Sequence, residues 1–85
     1  MKIWITHTKL ITGFEKIKNG EKIKWIQTTK ENLNSPEESL KSYIAFGKSL
    51  YENFDVNRNN LVAIEYEKVK NSKSEFISTG KYFEF

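Results

Sequence analysis

The residues able to carry out chemistry are few and widely spaced along this chain. It holds one His, one Asp and one Arg, and no Cys. A nucleophilic set of the Ser–His–Asp kind would therefore require His7 to meet Asp55 beside a suitable Ser. His7 lies between two threonines in a strand-like segment, which predicts an ordinary strand residue. The absence of Cys removes disulfides, thiolate nucleophiles and zinc–thiolate sites together.

Two acidic patterns deserve a test as catalytic or metal sites. Glu65 and Glu67 fall on one face of a predicted strand, about 7 Å apart, where a carboxylate pair could transfer protons. A solvated strand face carries such pairs far more often. Residues 55–59 have the D-x-N-x-N spacing of a calcium loop, but the sixth loop position is Asn60 instead of Gly and the twelfth is Tyr66 instead of Glu. We therefore predict no catalytic residues, no metal site, no cofactor and no enzymatic activity.

Basic residues give the first binding hypothesis. The formal net charge is +3, and Arg58 is the only basic residue that is not Lys. Lysines beside aromatic rings on a sheet can hold a nucleic-acid strand by charge and stacking. Glu15 and Glu21 lie in the same region, and lysines also serve as ordinary solvated strand residues. The residues of this hypothesis are Lys9, Lys16, Lys18, Lys22, Lys24, Trp25 and Lys30.

Aromatic residues give the second binding hypothesis, which is a protein interface. One helix can cover only one face of a small sheet, so part of the aromatic content is expected on accessible surfaces, where aromatic side chains are typical interface anchors. The predicted anchors are Phe46, Tyr82, Phe83 and Phe85. An edge strand or the open sheet face could also recruit a second copy of the chain as a homodimer. The alternative is that these rings are buried and complete the hydrophobic core.

One amphipathic helix is expected over residues 35–54. Ser35 and Glu38 have the spacing of a capping box, and Pro36 occupies the first helical position, where its missing N–H costs nothing. Apolar residues then recur at steps of three and four, which places them on one stripe. Gly47 in that stripe predicts close approach of a strand backbone. The stripe consists of Leu40, Tyr43, Ile44, Gly47, Leu50, Tyr51 and Phe54.

Two β-hairpins are expected on either side of this helix. Asn19-Gly20 between residues 2–18 and 21–30 favours a type I′ turn, which would set Phe14 opposite Trp25. Residues 61–70 and 75–85 alternate as a second pair joined by a four-residue turn, which would set Val62 opposite Phe83. The sequence therefore predicts an α+β fold of order ββαββ, with a four-stranded, mostly antiparallel sheet and one helix packed on one face.

Length and composition indicate the number of domains and the cellular location. The 85 residues form one predicted domain spanning residues 1–85, with 38% hydrophobic residues, which is too apolar for a disordered tail. No apolar run is long enough to cross a membrane, and the N-terminus lacks the pattern of a signal peptide. We therefore expect a cytoplasmic protein.

The choice of residues points to a biological source. Lys, Asn and Ile are abundant and Arg is nearly absent, as in A+T-rich coding sequences of low-G+C bacteria and their phages. The general profile of size, lysine content and missing catalytic groups resembles small proteins of phages and mobile elements, which include inhibitors of CRISPR and other defence systems. The resemblance implies a blocker of a larger host protein or nucleoprotein complex. A sequence-independent nucleic-acid-binding accessory protein remains the alternative.

Overall fold

A computed structural model describes residues 2–26, 34–71 and 75–85, with the backbone alone described at residues 25 and 26. Three long antiparallel strands and one long helix form its frame, and a short helix and a three-residue strand complete it. The elements in chain order are β1 (Lys2–Thr8), α1 (Phe14–Lys18), β2 (Lys24–Ile26), α2 (Pro36–Leu50), β3 (Leu61–Lys68) and β4 (Glu75–Glu84). A 3₁₀ turn at Arg58–Asn60 leads into β3.

The sheet has the strand order β1-β3-β4-β2. The N-terminal strand β1 lies antiparallel to β3, with Ile5 opposite Ile64. Next to β3 comes β4, and the short β2 pairs only with the first residues of β4. The predicted ββαββ sheet of two hairpins is therefore wrong, because β1 and β2 are not partners. The general α+β class is correct.

Local backbone chemistry explains why the first hairpin does not form. Phe14 and Ile17 are one helical turn apart and both are buried, so the segment forms α1 instead of a strand. Gly20 has φ of +87°, its N–H donates to the Ile17 carbonyl, and the Glu21 N–H donates to the Lys16 carbonyl. This pair of bonds is a Schellman motif, in which Gly ends a helix. Asn19-Gly20 therefore caps α1 and does not join two strands.

The long helix begins as predicted and ends earlier. The Ser35 hydroxyl accepts the Glu38 N–H at 3.2 Å, while the Glu38 carboxylate accepts the N–H of Asn34 at 3.0 Å. The last helical residue is Leu50, after which the chain turns back. The ring of Phe54 then occupies the space that a side chain at position 47 would need, so Gly47 admits a ring and not a strand backbone.

The two faces of the sheet are covered by different helices. The α1 side carries the main apolar core, in which buried residues of the strands meet Phe14 and Ile17 of α1. That core consists of Ile3, Phe14, Ile17, Val62, Ile64, Tyr66 and Phe76. The α2 side carries Thr6 and Ala63, and α2 lies mainly over β1 and less extensively over β3. A buried hydrogen bond of 2.7 Å joins the hydroxyls of Thr6 and Ser39 there.

The C-terminal hairpin forms, but its predicted register is wrong. Val62 lies opposite Glu84 and Ala63 opposite Phe83, whereas Tyr66 lies opposite Ser78. The pairing therefore shifts between these two ends, because β4 contains a bulge opposite Glu65. The expected single register, with Val62 opposite Phe83, holds at neither end.

Candidate protein-interaction surface

Large apolar side chains are exposed where α2 ends. Phe46 is 66% exposed, Leu50 57% and Tyr51 64%. Phe46 and Leu50 lie four residues apart, so they are neighbours on the helix surface, and Tyr51 follows directly. Exposed apolar residues are ordinary when scattered singly, whereas a contiguous group of this kind often marks an interaction site. Phe46 was predicted as an anchor, but Leu50 and Tyr51 were assigned to the buried stripe.

The end of the helix determines the shape of this surface. The Tyr51 N–H donates to the Gly47 carbonyl at 2.9 Å, and Tyr51 itself adopts an extended backbone with φ of −129°. The reversed chain then brings the ring of Phe54 to 5.8 Å from that of Tyr43. Residues 50–55 border an open depression of about 560 Å³. Leu50 and Tyr51 therefore follow Gly47, the last buried residue of α2, and stay exposed.

Phe83 lies on the same side of the sheet as α2. Ala63 is opposite both Thr6 and Phe83, and residues directly opposite each other in a sheet point to the same face. Because Thr6 bonds to α2, Phe83 also points to the α2 side. The ring of Phe83 is 46% exposed and meets the half-buried ring of Phe85 edge to face, at 5.4 Å between centroids.

Tyr82 points to the opposite side. Its ring packs edge to face on Phe14 at 5.7 Å and belongs to the margin of the main core. The four predicted anchors therefore do not share one surface. Phe46, Phe83 and Phe85 lie on or beside the α2 side, and Tyr82 lies on the α1 side.

A bulge in β4 separates two registers of its pairing with β3. Gly80 has φ of +89°, a conformation that suits Gly. Its N–H donates to the Ser78 hydroxyl at 3.1 Å, and the Thr79 hydroxyl donates to the Glu65 carboxylate at 2.8 Å. Tyr66 lies opposite Ser78 and Ile64 opposite Tyr82, so the bulge adds two residues to β4 and the alternation of side chains is kept across it. Phe83 therefore faces the α2 side and Tyr82 faces the core because the two residues are adjacent in the strand.

The predicted nucleic-acid residues are spread over several elements. Lys16 and Lys18 lie on α1, Lys22 follows it, and all three are exposed. Lys9 lies 3.7 Å from the Glu84 carboxylate, and Lys24 lies 3.1 Å from that of Glu75. The side chain of Trp25, and Lys30 as a whole, lie outside the described residues. Acidic neighbours therefore offset part of the positive charge in this region.

A small groove lies beside these lysines. Thr12, Gly13, Lys16, Ile23 and Lys24 border a volume of about 340 Å³. The ammonium of Lys18 lies 5.6 Å from the centre of the Phe14 ring, a cation–π distance. Lys16 and Lys24 thus lie beside apolar atoms in this groove, and Lys24 also forms an ion pair with Glu75.

The single His does not meet a nucleophile. His7 Nε2 lies 3.0 Å from the Tyr66 hydroxyl, and the two rings meet edge to face. Burial lowers the pKa of His7 to about 4 and raises the pKa of Tyr66. Asp55 is exposed in the segment after α2. His7 is therefore a neutral polar residue at the margin of the core on the α1 side.

The acidic and Asn-rich patterns have structural roles. Glu65 is nearly buried and bonds to Thr79, whereas Glu67 is exposed. Asn57 Oδ1 accepts the Asn59 N–H and so caps the 3₁₀ turn. Among the described residues, no three His, Asp or Glu side chains converge as metal ligands. The same part of the chain holds no helix long and apolar enough to span a bilayer.

Comparisons of the chain with protein-family models, with curated proteins and with solved structures find no match. Functional inference therefore rests on the geometry of the chain itself.

Proposed function

We propose that this protein is a non-enzymatic binding protein that docks on a larger protein through the end of α2. The observation that supports the proposal is the exposed group of Phe46, Leu50 and Tyr51 beside an open depression. A few anchoring side chains, often aromatic ones such as Tyr, supply most of the binding energy in protein interfaces. The fitting partner presents an apolar pocket that accepts a helix end.

The proposed role is to occupy a partner's surface and thereby block or modulate it. Its narrower form, an inhibitor of a CRISPR or other defence effector from a phage or mobile element, rests on the sequence profile alone. The cytoplasm of a low-G+C bacterium is the proposed setting, again from composition. These parts stay predictions, and they decide which lysate to use in the experiment.

The experiment pairs two substitutions on adjacent residues of α2. Phe46→Asp places a charge in the proposed surface, and Ala45→Asp places the same charge on the neighbouring exposed position. Both proteins are immobilised and exposed to a low-G+C bacterial lysate, and the affinity of any retained partner is then measured with purified components. We expect Phe46→Asp to weaken binding by about 30-fold or more, since interface anchors contribute about 2 kcal/mol or more. Ala45→Asp should bind as the wild type does.

Equal binding by both variants would place the interface elsewhere. A loss of binding in both would indicate general charge repulsion at α2 and not an anchoring ring. Circular dichroism of the two variants confirms that each is folded, which an exposed position should permit.

Nucleic-acid binding is the second proposed function, supported by the exposed Lys16, Lys18 and Lys22 within one short segment. Binding by lysines of this kind is expected to be independent of sequence and to fall steeply with salt, because it releases counterions from phosphates. Fluorescence anisotropy with labelled single-stranded and double-stranded oligonucleotides measures both properties.

A matched pair of triple variants tests whether these lysines act as a patch. Lys→Gln at positions 16, 18 and 22 should abolish binding, while Lys→Gln at the exposed positions 41, 48 and 81 removes the same charge elsewhere. Equal losses in the two variants would indicate net charge alone. No binding by the wild type at low salt would eliminate this function.

A further inference from the structure

The outer edge of the sheet is formed by the backbone of β1. The Lys9 N–H donates to the Asn60 carbonyl at 2.7 Å, in register with the β1–β3 pairs. In an antiparallel ladder, alternate residues direct both backbone groups to the partner strand. Ile3, Ile5 and His7 therefore bond to β3, and the residues between them direct their N–H and C=O groups away from it. Trp4 and Thr6 thus hold outward backbone groups with no bond to any described residue.

This edge has little of the protection that edge strands usually carry. Its seven residues contain no Pro, the β1–β3 register is continuous, and Lys2 at one end is its only Lys. Charges, prolines and bulges are the usual means by which edges avoid pairing with another chain. Trp4 and Ile5 are half-buried, on the α2 side and the α1 side respectively. The edge therefore carries apolar side chains on both faces, and none of the described residues forms a further strand beside it.

We propose that a second copy of this chain adds to β1 in antiparallel orientation, about a two-fold axis at Ile5. This register pairs Trp4 of each copy with Thr6 of the other, so that outward groups meet outward groups. Lys2 then lies opposite Thr8, and Ile5 lies opposite its own symmetry mate. The strand overlaps with itself over its full length, as a closed two-fold interface requires.

Charge and helix position favour a second copy as the occupant. Self-pairing in this register sets no two like charges opposite each other, although the chain as a whole is positive. Both α2 helices fall on the same face of the joined sheet. Because α2 lies mainly over β1, the two helices would lie side by side across the two-fold axis. The inference concerns β1 and stands apart from the proposed anchor at the end of α2.

A charge-swap at Ile5 tests the two-fold axis. Ile5→Lys and Ile5→Glu each place like charges against each other in the dimer, and a mixture of the two places opposite charges there. By sedimentation from micromolar to millimolar concentrations, we expect the wild type to dimerise. Each variant alone should associate at least tenfold more weakly, and the mixture should recover a heterodimer. A wild type that stays monomeric throughout would overturn the proposal, as would a mixture that stays monomeric.

Hydrogen exchange tests the edge without a substitution. The Trp4 and Thr6 amides should exchange rapidly in dilute protein and become protected as concentration rises. The amides of Ile3, Ile5 and His7 bond within the chain, so their protection should not depend on concentration. Dimerisation without protection of Trp4 and Thr6 would assign the contact to another surface. If these two amides become protected only when a different protein is added, the strand that pairs with β1 comes from that protein and not from a second copy of this chain.

Discussion

The two sides of the sheet are closed by helices of very different size, and the shorter helix gives the more complete core. Helix α1 has five residues, yet its Phe14 and Ile17 join the buried side chains of three strands. Helix α2 has fifteen residues, but it lies over β1 and β3 and leaves Phe83 of β4 exposed.

Polar groups are also distributed differently on the two sides. On the α2 side, the buried hydroxyls of Thr6 and Ser39 bond to each other at the helix contact. On the α1 side, the buried Ser78 lies opposite Tyr66, and the polar pair of His7 with Tyr66 lies toward the β1 edge. Coverage thus depends on where a helix places its apolar side chains and not on its length. The side with less coverage is the one that offers a surface for binding.

The largest expected effect comes from shortening one isoleucine on each of the two helices. Ile17 is fully buried on α1, and Ile44 is half-buried on α2. Ile17→Ala should lower the free energy of unfolding by about 2–5 kcal/mol, because it leaves a cavity in the core. Ile44→Ala should cost about 1–2 kcal/mol, since its side chain loses less contact. Urea unfolding measures both, and equal losses would contradict the comparison.

The pH dependence of stability should report on the polar pair of the α1 side. Burial lowers the pKa of His7 from 6.5 to about 4, so the unfolded chain takes up a proton at a higher pH than the folded chain does. The free energy of unfolding should therefore fall by about 2–3 kcal/mol as the pH decreases from about 6.5 to about 4. His7→Gln removes the titrating group and should flatten this part of the curve, while carboxylate titration remains. An unchanged curve in the variant would assign the effect to other groups.

A double-mutant cycle should measure the hydrogen bond of the α2 side. Because the Ser39 hydroxyl donates to the Pro36 carbonyl at 2.8 Å, Thr6 is the donor to Ser39. Thr6→Val removes that donor and should cost about 1–2 kcal/mol. Combined with Ser39→Ala, the total loss should be smaller than the sum of the two single losses by about 1 kcal/mol. Additive losses would show that the two hydroxyls do not interact in solution.

The smallest expected effect concerns the bulge at Gly80, which separates the two registers of β4. Gly80→Ala forces a side chain into a positive φ without a close clash, since the nearest atom to an added Cβ is 3.8 Å away. The expected loss is about 1 kcal/mol by urea unfolding. Lys81→Ala, at the exposed neighbouring position, should change stability by less than about 0.5 kcal/mol. A neutral Gly80→Ala would indicate that the bulge tolerates another backbone conformation.

Elements whose signals are local could be predicted from the sequence. The start of α2 at Ser35 and Pro36 follows from capping chemistry, and the pairing of β3 with β4 follows from two alternating segments close together in the chain. The end of α2 could not be predicted, because Leu50 and Tyr51 continue the helical spacing of the buried stripe. Both residues follow Gly47, the last buried residue of α2, and are exposed.

The prediction of a hairpin in the first third of the chain is wrong because one dipeptide fits two motifs. Asn19-Gly20 supplies a positive φ that suits a hairpin turn and equally suits a helix C-cap. The choice between them depends on Phe14 and Ile17, whose burial requires β4 from the other end of the chain. The predicted register of the C-terminal hairpin is wrong by one residue at each end, because alternation alone shows neither how the turn closes nor that β4 holds two extra residues around Gly80.

The position of β1 in the sheet has a consequence for how the chain reaches its native state in the cell. β1 is synthesised before its partner β3, which lies more than fifty residues later in the chain. Closing so long a loop is entropically costly and slows the formation of such pairs. A nascent chain therefore carries β1 without its partner strand until β3 has emerged. An apolar strand exposed in this way is prone to aggregate during folding.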